Sequence, residues 1–292
     1  AKWLIYTSTM KNLILAIDQG TTGTTAVLCN QQGAIASYNV EFPNYFPSPG
    51  QVEHDAEEIW ASVEKAVRTV LNGIDPQRIA AIGITNQRET SLFWDAQTGA
   101  PAGRALVWQD RRTAPRCEEL KKSGWEPAFR ARTGLVLDPY FSGTKAEWML
   151  KNGALENARQ GKLLFGTIDS FLAFRLTGAH VTDPSNASRT LLYDIHRQQW
   201  DEEFCSLFSV PLACLPRVVE NAGIIGYTKN VPFLPDGIPL AGLAGDQQSA
   251  LFGQACFLPG MAKCTYGTGA FVLLNTGESP VASQHGLLTT IA

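Results

Sequence analysis

The residue types with most chemistry to offer sit in four short polar segments, each at the end of an apolar run. Asp18-Gln19-Gly20-Thr21-Thr22-Gly23 separates the apolar runs LILAI and TAVLC. A tight turn there leaves backbone N–H groups pointing into the bend. Glycine permits close approach and threonine hydroxyls add donors, so the turn can form a nest for phosphate oxygens. Asp18, at the end of the first run, can hold Mg²⁺ through water, because Mg²⁺ favours carboxylate, water and phosphate oxygens. A DxG sequence at a hairpin also serves as a plain turn, and the residues alone leave both readings open. A second turn of the same kind, Tyr266-Gly267-Thr268-Gly269, could grip phosphate from an opposite wall.

Asn86-Gln87-Arg88-Glu89-Thr90 follows the apolar run IAAIGIT. Arg88 can donate several hydrogen bonds and Glu89 can accept from two hydroxyls, which suits a polyol. A solvated loop with a surface ion pair has the same composition. Asp246, in GLAGDQQ, stands between a strand-like run and a helical stretch at 247–254. It reads either as a helix N-cap or as a carboxylate that takes a proton from an attacking hydroxyl. Trp108, Tyr140 and Phe271 read as core residues unless the site binds carbon chains, whose CH groups flat apolar faces would cover.

These segments need strands and helices to carry them. From Leu13 to Phe42, LILAID, TTAVLCN and AIASYNVEF read as three strands broken by glycine turns. A proline-rich loop follows. Asp55 then reads as an N-cap with Glu58 three residues on, and Ile59, Val63, Val67, Val70 and Leu71 fall at helical spacing. The runs 79–85, 91–95, LLFGTI and IPLAGLAG read as further strands. Helices are expected at 113–122, 144–152, 169–176 and 200–208. Three meandering strands, a helix and later strands predict a mixed α/β sheet with flanking helices. The hairpin at 13–30 and the one at 261–275 share a layout of strand, Gly-Thr turn and strand ending in Asn. Two related domains facing each other would produce that repeat, and so would coincidence.

Composition excludes several classes. With 45% hydrophobic and 17% charged residues the chain is an ordinary globular one. A net charge of −3 with no basic stripe argues against nucleic acid as a partner. No apolar run is long enough to span a bilayer. The six cysteines form no CxxC pair and no metal-ligand spacing with the four histidines, so reduced thiols and a cytoplasmic location are expected. Residues 1–9 read as leader or appended residues ahead of Met10.

Taken in order, AIDQGTTGTTAV, GQVEHDAEEIW, IAAIGITNQRET, LVWQDRRTA, RTGLVLDPYFSGTK, LLFGTIDSFL, VTDPSNASRTLLYDIH, LAGDQQSALFGQ and MAKCTYGTGAFVLLNTGE resemble the FGGY carbohydrate kinases across essentially the whole chain. NQRET, DPYFSGTK and GDQQ resemble the branch of that family acting on glycerol. The resemblance implies two actin-like, ribonuclease-H-like domains closing over ATP and substrate, with residues 10–255 as the first and 256–292 as the start of a second that continues beyond this chain. It implies ATP-dependent, Mg²⁺-dependent phosphorylation of glycerol to sn-glycerol 3-phosphate, the entry step of glycerol catabolism, in a homo-oligomer once the chain is continued. Asp246 would be the general base. Arg88, Glu89, Trp108, Tyr140, Asp246, Gln247 and Phe271 would bind glycerol, while Thr21, Thr22, Gly23, Thr268 and Gly269 would contact phosphate and Asp18 would be linked to Mg²⁺. The chain departs from the family pattern at Thr25, where many relatives carry Arg, and at Ala146. It also has no histidine between His196 and His285 to serve as a phosphorylation site. A sibling acting on a pentulose or sugar acid, and a polyol-binding domain without transfer activity, are the rival readings.

Overall fold

The computed structural model describes residues 10–267 and 269–292. The expected leader at 1–9 and the expected phosphate contact Thr268 lie outside the described residues. Among the described residues the largest sheet has six strands, in the order Ala222–Tyr227, Pro239–Gly245, Ile79–Asn86, Leu13–Gln19, Gly23–Asn30, Gly33–Glu41. Leu13–Gln19 alternates strictly: Leu13, Leu15, Ile17 and Gln19 are buried while Ile14 and Asp18 face the other side. That period of two is what a half-buried strand requires.

The sheet is mixed, as the sequence predicts. Leu13–Gln19, Gly23–Asn30 and Gly33–Glu41 form an antiparallel meander. Ile79–Asn86 then adds parallel to Leu13–Gln19, and Pro239–Gly245 adds parallel to Ile79–Asn86. The register puts Gln19 level with Asn86, and Asn86 level with Gly245. Three parallel strands therefore end side by side, and the chain leaves them at Gly20, Gln87 and Asp246. In open α/β sheets ligands bind at such carboxyl ends.

Helix Ala56–Val70 covers the meander and buries Ile59, Val63, Val67 and Val70 on one stripe. Each such side chain contributes roughly 1.5–3 kcal/mol on burial. Asp55 caps it by accepting from the Glu57 N–H at 3.0 Å, but Glu58 does not close a capping box: its carboxylate accepts from the Tyr45 hydroxyl at 2.7 Å. Helix Ile168–Thr177 packs on the Pro239–Gly245 side of the sheet and is stopped by Gly178 at φ 77°. A smaller sheet, in the order Glu53–His54, Ala105–Leu106, Ser91–Asp95, Leu163–Thr167, adjoins a second apolar core around Phe129, Phe204 and Phe208.

The helix expected at 144–152 is two helices, Ser142–Met149 and Leu155–Arg159, separated by a widened turn in which Gly153 takes φ 118°. Helix Glu126–Thr133 and edge strand Ala222–Tyr227 were not expected. The first carries Pro127 within its opening turn, and the second is largely exposed, so neither shows a clear apolar period. Ala262–Tyr266 and Ala270–Leu274 form the second hairpin as a separate two-stranded sheet.

Candidate active site

The loops leaving the three parallel strands enclose a cleft of about 200 Å³ whose walls include Arg88, Glu89, Trp108, Tyr140, Asp246 and Phe271. A larger depression of about 580 Å³ runs along the outer face of helix Ala56–Val70. It shares no residue with the cleft, and its polar side chains are those of a solvated helix face, among them the Glu64–Arg68 pair one turn apart, so the smaller, more enclosed space is the candidate site.

One wall is charged. Arg88 is buried, with Nε 3.2 Å from Asp246 Oδ1 and 3.9 Å from Glu89 Oε1, and Nη1 donating to Gln248 Oε1 at 3.1 Å. Its Nε has no well-aligned acceptor, which leaves a buried donor free for a ligand hydroxyl. Glu89 is also buried and sits at φ 64°, a conformation that costs a non-glycine residue energy and persists only where its surroundings hold it. Two bonds do so: Arg189 Nε donates to Glu89 Oε1 at 2.7 Å, and Ser142 Oγ donates to the Glu89 carbonyl at 2.8 Å.

Asp246 is the first residue of helix Asp246–Gly253, whose N-cap is Gly245, so the side chain is not the capping group the alternative reading allowed. Oδ1 accepts from the Gln247 N–H at 2.7 Å and Oδ2 from Gln247 Nε2 at 3.1 Å. Burial raises its pKa, Arg88 opposes that shift and Glu89 reinforces it. The result is a more basic carboxylate, better suited to accepting a proton near neutral pH.

The other wall is apolar. Trp108 meets Tyr140 edge-on at 5.6 Å and Phe271 at 6.2 Å between ring centroids. Trp108 is fixed by its indole N–H, which donates to Thr21 Oγ1 at 2.8 Å, and by its backbone N–H, which donates to Thr90 Oγ1 at 3.1 Å. Burial pushes the Tyr140 phenol up to about 12, so it stays a neutral hydrogen-bonding group. Lys145, wholly buried, holds the loop beneath it by donating to the carbonyls of Pro139 at 2.6 Å and Tyr140 at 2.8 Å. Burial lowers that ammonium to about 8.

At the open end lies the Gly20–Thr22 turn. Gly20 N–H donates to the Gly23 carbonyl at 2.9 Å, and a Cβ on Gly23 would meet the Val40 carbonyl at 2.9 Å, so only glycine fits. Gln87 braces the turn from behind through bonds of 3.1 Å to Gln19 Oε1 and to the Gly20 carbonyl. Gly267 and Gly269 line the same cleft, and a Cβ on Gly269 would meet the Phe271 ring at 2.6 Å. Asp18 stands at the end of the first strand beside the turn, and although the residue keeps exposed surface, burial of its carboxyl first and the Asp246 charge second lift it to about 6. Thr25 pairs with Asp18 across the hairpin, and its hydroxyl is occupied by Asn39 Nδ2 at 2.9 Å. A carboxyl held up by burial and by a neighbouring carboxylate gains from a divalent cation, which favours carboxylate and phosphate oxygens. Among the described residues no cluster of three protein ligands exists for one.

The family model for the FGGY family of carbohydrate kinases, N-terminal domain, matches residues 13–253. The chain belongs to the FGGY carbohydrate kinases. Glycerol kinases of Geobacillus sp. (strain WCH70) and Geobacillus kaustophilus (strain HTA426) are 54% and 55% identical to it, each over 97% of this chain. The chain spans 58% of the length of these curated relatives. Among solved structures, Plasmodium falciparum glycerol kinase with ADP superposes with a TM-score of 0.91 at 38% identity, over 97% of this chain and 58% of that one. Gluconate kinase from Lactobacillus acidophilus, at 23% identity and a TM-score of 0.81 over 89% of this chain and 53% of that one, shares the fold. The actin-like fold expected from the FGGY resemblance is therefore the observed one.

Of the FGGY site residues expected from sequence, Thr21, Arg88, Glu89, Trp108, Tyr140, Asp246, Gln247, Gly269 and Phe271 line one cleft. Gly23 lies behind it as the glycine that closes the turn. Thr22, exposed at the turn, and Asp18, at the end of the first strand, are not among the lining residues. Sequence reading gave no site role to Gln87, although it lies in the polar Asn86–Thr90 segment, to Lys145, although it lies in a stretch resembling the family's lysine-containing signature, or to Arg189 and Lys263. Lys263, buried, donates to Gln247 Oε1 and to Thr265 Oγ1, the latter at 2.7 Å. A lone lysine in an apolar strand was the available signal.

Proposed function

We propose that this chain carries the glycerol-binding and part of the phosphate-binding machinery of an ATP-dependent glycerol kinase. The observation that carries the reading is the two-sided cleft: Arg88, Glu89 and Asp246 on one wall, Trp108, Tyr140 and Phe271 on the other, around about 200 Å³. A small triol has hydroxyls for the first wall and CH groups for the second. Names of relatives above half identity support the same substrate.

In the proposed reaction the Arg88 guanidinium and the Glu89 carboxylate orient the hydroxyls of glycerol. Asp246 accepts the proton of the attacking hydroxyl as its oxygen bonds to the γ-phosphorus of ATP and the bond to the β-phosphate oxygen breaks. The Gly20–Gly23 and Gly267–Gly269 turns hold the phosphates in line, because phosphoryl transfer relies mainly on positioning and charge stabilisation. Asp18 would hold Mg²⁺, whose chemistry is to neutralise charge on the transferring phosphates. Thr268 keeps its proposed phosphate role from the resemblance, as does the domain division near residue 255. A cytoplasmic location is part of the same proposal; among the described residues no helix is long and apolar enough to cross a membrane.

A coupled ADP-release assay over glycerol, xylulose, ribulose and gluconate tests the reading, run on this chain and on one continued to the length of its curated relatives. Selective turnover of glycerol supports it. Preference for a sugar would keep the fold and overturn the triol pocket. Binding of glycerol without transfer in either chain would favour a polyol-binding domain. Exposed apolar groups on the second hairpin, Tyr266, Val272 and Leu274, favour association with further polypeptide. Sedimentation showing a monomer at all concentrations would count against the homo-oligomer.

A further inference from the structure

The segment from Thr182 to Thr190 contributes no residue to the lining of the cleft, yet its polar residues are almost wholly buried. Asp183, Ser185 and Asn186 have no exposed surface, and Arg189 is only 5% exposed. A short helix, Pro184–Ala187, organises them with Asp183 as N-cap. Asp183 Oδ1 accepts from the Ser185 N–H at 2.8 Å, the Asn186 N–H at 3.3 Å and Asn221 Nδ2 at 2.9 Å, and also from the Ser185 hydroxyl. Oδ2 accepts from Asn186 Nδ2 at 2.7 Å.

From this hub three side chains reach the active-site loops. Ser185 Oγ accepts from the Gly245 N–H at 2.8 Å, one residue before Asp246. The Asn186 and Asn86 side-chain amides exchange two hydrogen bonds of 3.1 Å, two residues before Arg88. Arg189 Nε donates to Glu89 Oε1 at 2.7 Å, and its guanidinium lies 5.4 Å from the Tyr140 ring centroid. Asn221, bonded to Asp183, also donates to the Leu243 carbonyl at 2.8 Å on the strand leading to Asp246.

We propose that Ser185, Asn186 and Arg189 are positioning residues: one clamp, hung on Asp183, that locks the proton-accepting Asp246 and the substrate-holding Arg88–Glu89 pair into a single geometry. The proposal rests on the reading of those residues as a glycerol site. The sheet pairs the two strands only as far as Asn86 and Gly245, and beyond that register the loops carrying Arg88, the strained Glu89 and Asp246 need other anchors. A fully satisfied buried network gives them one rigid arrangement, and misplacement by about 1 Å can cost about 10²-fold in rate. Simple space-filling would be served as well by apolar residues, and it would not explain why Gly245, Asn86 and Glu89, the partners of the clamp, all lie within two residues of Asp246 or Arg88.

The test uses the 292-residue chain. Ser185→Ala removes the acceptor for the Gly245 N–H. Hydrogen exchange at Gly245 should accelerate at least tenfold, while Ile17, at the centre of the sheet, keeps its protection. Unchanged exchange at Gly245, or equal acceleration at Ile17, would overturn the clamp; the latter is what a merely structural role produces. Arg189→Ala should weaken glycerol binding, read from Trp108 fluorescence, at least tenfold with an unchanged far-ultraviolet circular dichroism spectrum. Arg189→Lys should recover part of that loss, and wild-type affinity in Arg189→Ala would refute the role assigned to Arg189. Should the wild-type chain itself take no glycerol, the proposed function fails, whereas the exchange contrast between Gly245 and Ile17 still decides the clamp.

Discussion

Arg88→Met separates the guanidinium from the rest of the site, because methionine keeps an apolar stem against Gly245. Two losses follow. The first is the hydrogen bond that the free Nε offers to a glycerol hydroxyl. A bond involving a charged group contributes about 1.5–3 kcal/mol, or roughly 10- to 150-fold in affinity. The second is the cation beside Asp246, 3.2 Å away. At an effective dielectric constant of about 20, Coulomb's law gives roughly 5 kcal/mol at that separation. The Asp246 side chain is 35% exposed, and screening by solvent reduces this to about 1–2 kcal/mol. The pKa of Asp246, already raised by burial, should then climb by roughly one further unit. Calorimetric titration of glycerol between pH 5 and pH 9 should show about 10²-fold weaker binding, with ATP affinity little changed. Where transfer is measurable, its acidic limb should move up by about one pH unit. A glycerol loss under threefold, or equal losses for glycerol and ATP, would refute the assignment of Arg88 to the substrate.

Other perturbations read different links of the same chain of reasoning. Asp246→Asn should lower phosphate transfer by about 10²–10⁴-fold, the usual worth of a general base, with glycerol affinity and the circular dichroism spectrum nearly unchanged; near-normal turnover would remove Asp246 from that role. In Gly245→Ala the new Cβ would meet Arg88 Cδ at 2.6 Å and Gln248 Oε1 at 3.0 Å. Thermal melting should fall by several degrees, since overpacking costs about 1–3 kcal/mol, and glycerol binding should weaken with it. Asp169 is buried, and burial first and Asp183 second raise its carboxyl. A raised folded-state pKa means the stabilising proton is fully held below the ordinary aspartate value near 4 and lost as pH rises towards about 7. Thermal stability should therefore decline across that window, and Asp169→Asn should flatten the decline; parallel wild-type and variant profiles would show that Asp169 does not set it.

Local pattern carried much of this protein into view. The alternation of Leu13, Leu15 and Ile17, the glycines of the first turn and the apolar stripe of helix Ala56–Val70 are written in neighbouring residues, and the structure follows them. Arg88, Glu89 and Asp246 were legible for a related reason: each is a charged residue within three residues of the end of a run apolar enough to be a buried strand. Helix Glu126–Thr133 was not, because proline in its first turn and a mixed surface hide its period.

What no local pattern could decide is that the ends of those strands stand side by side. Gln19, Asn86 and Gly245 are brought level by parallel pairing between segments far apart in sequence, and parallel register depends on crossover and core packing rather than on a turn. The same holds for the left-handed conformation of Glu89, the burial of Lys145 and the reach of Arg189 to Glu89. Asp183 caps the short helix Pro184–Ala187, a local feature. That its neighbours also tie two strand ends and a carboxylate together is a property of the folded interior. There a buried polar group must find a partner, and only the tertiary structure decides which one is within reach.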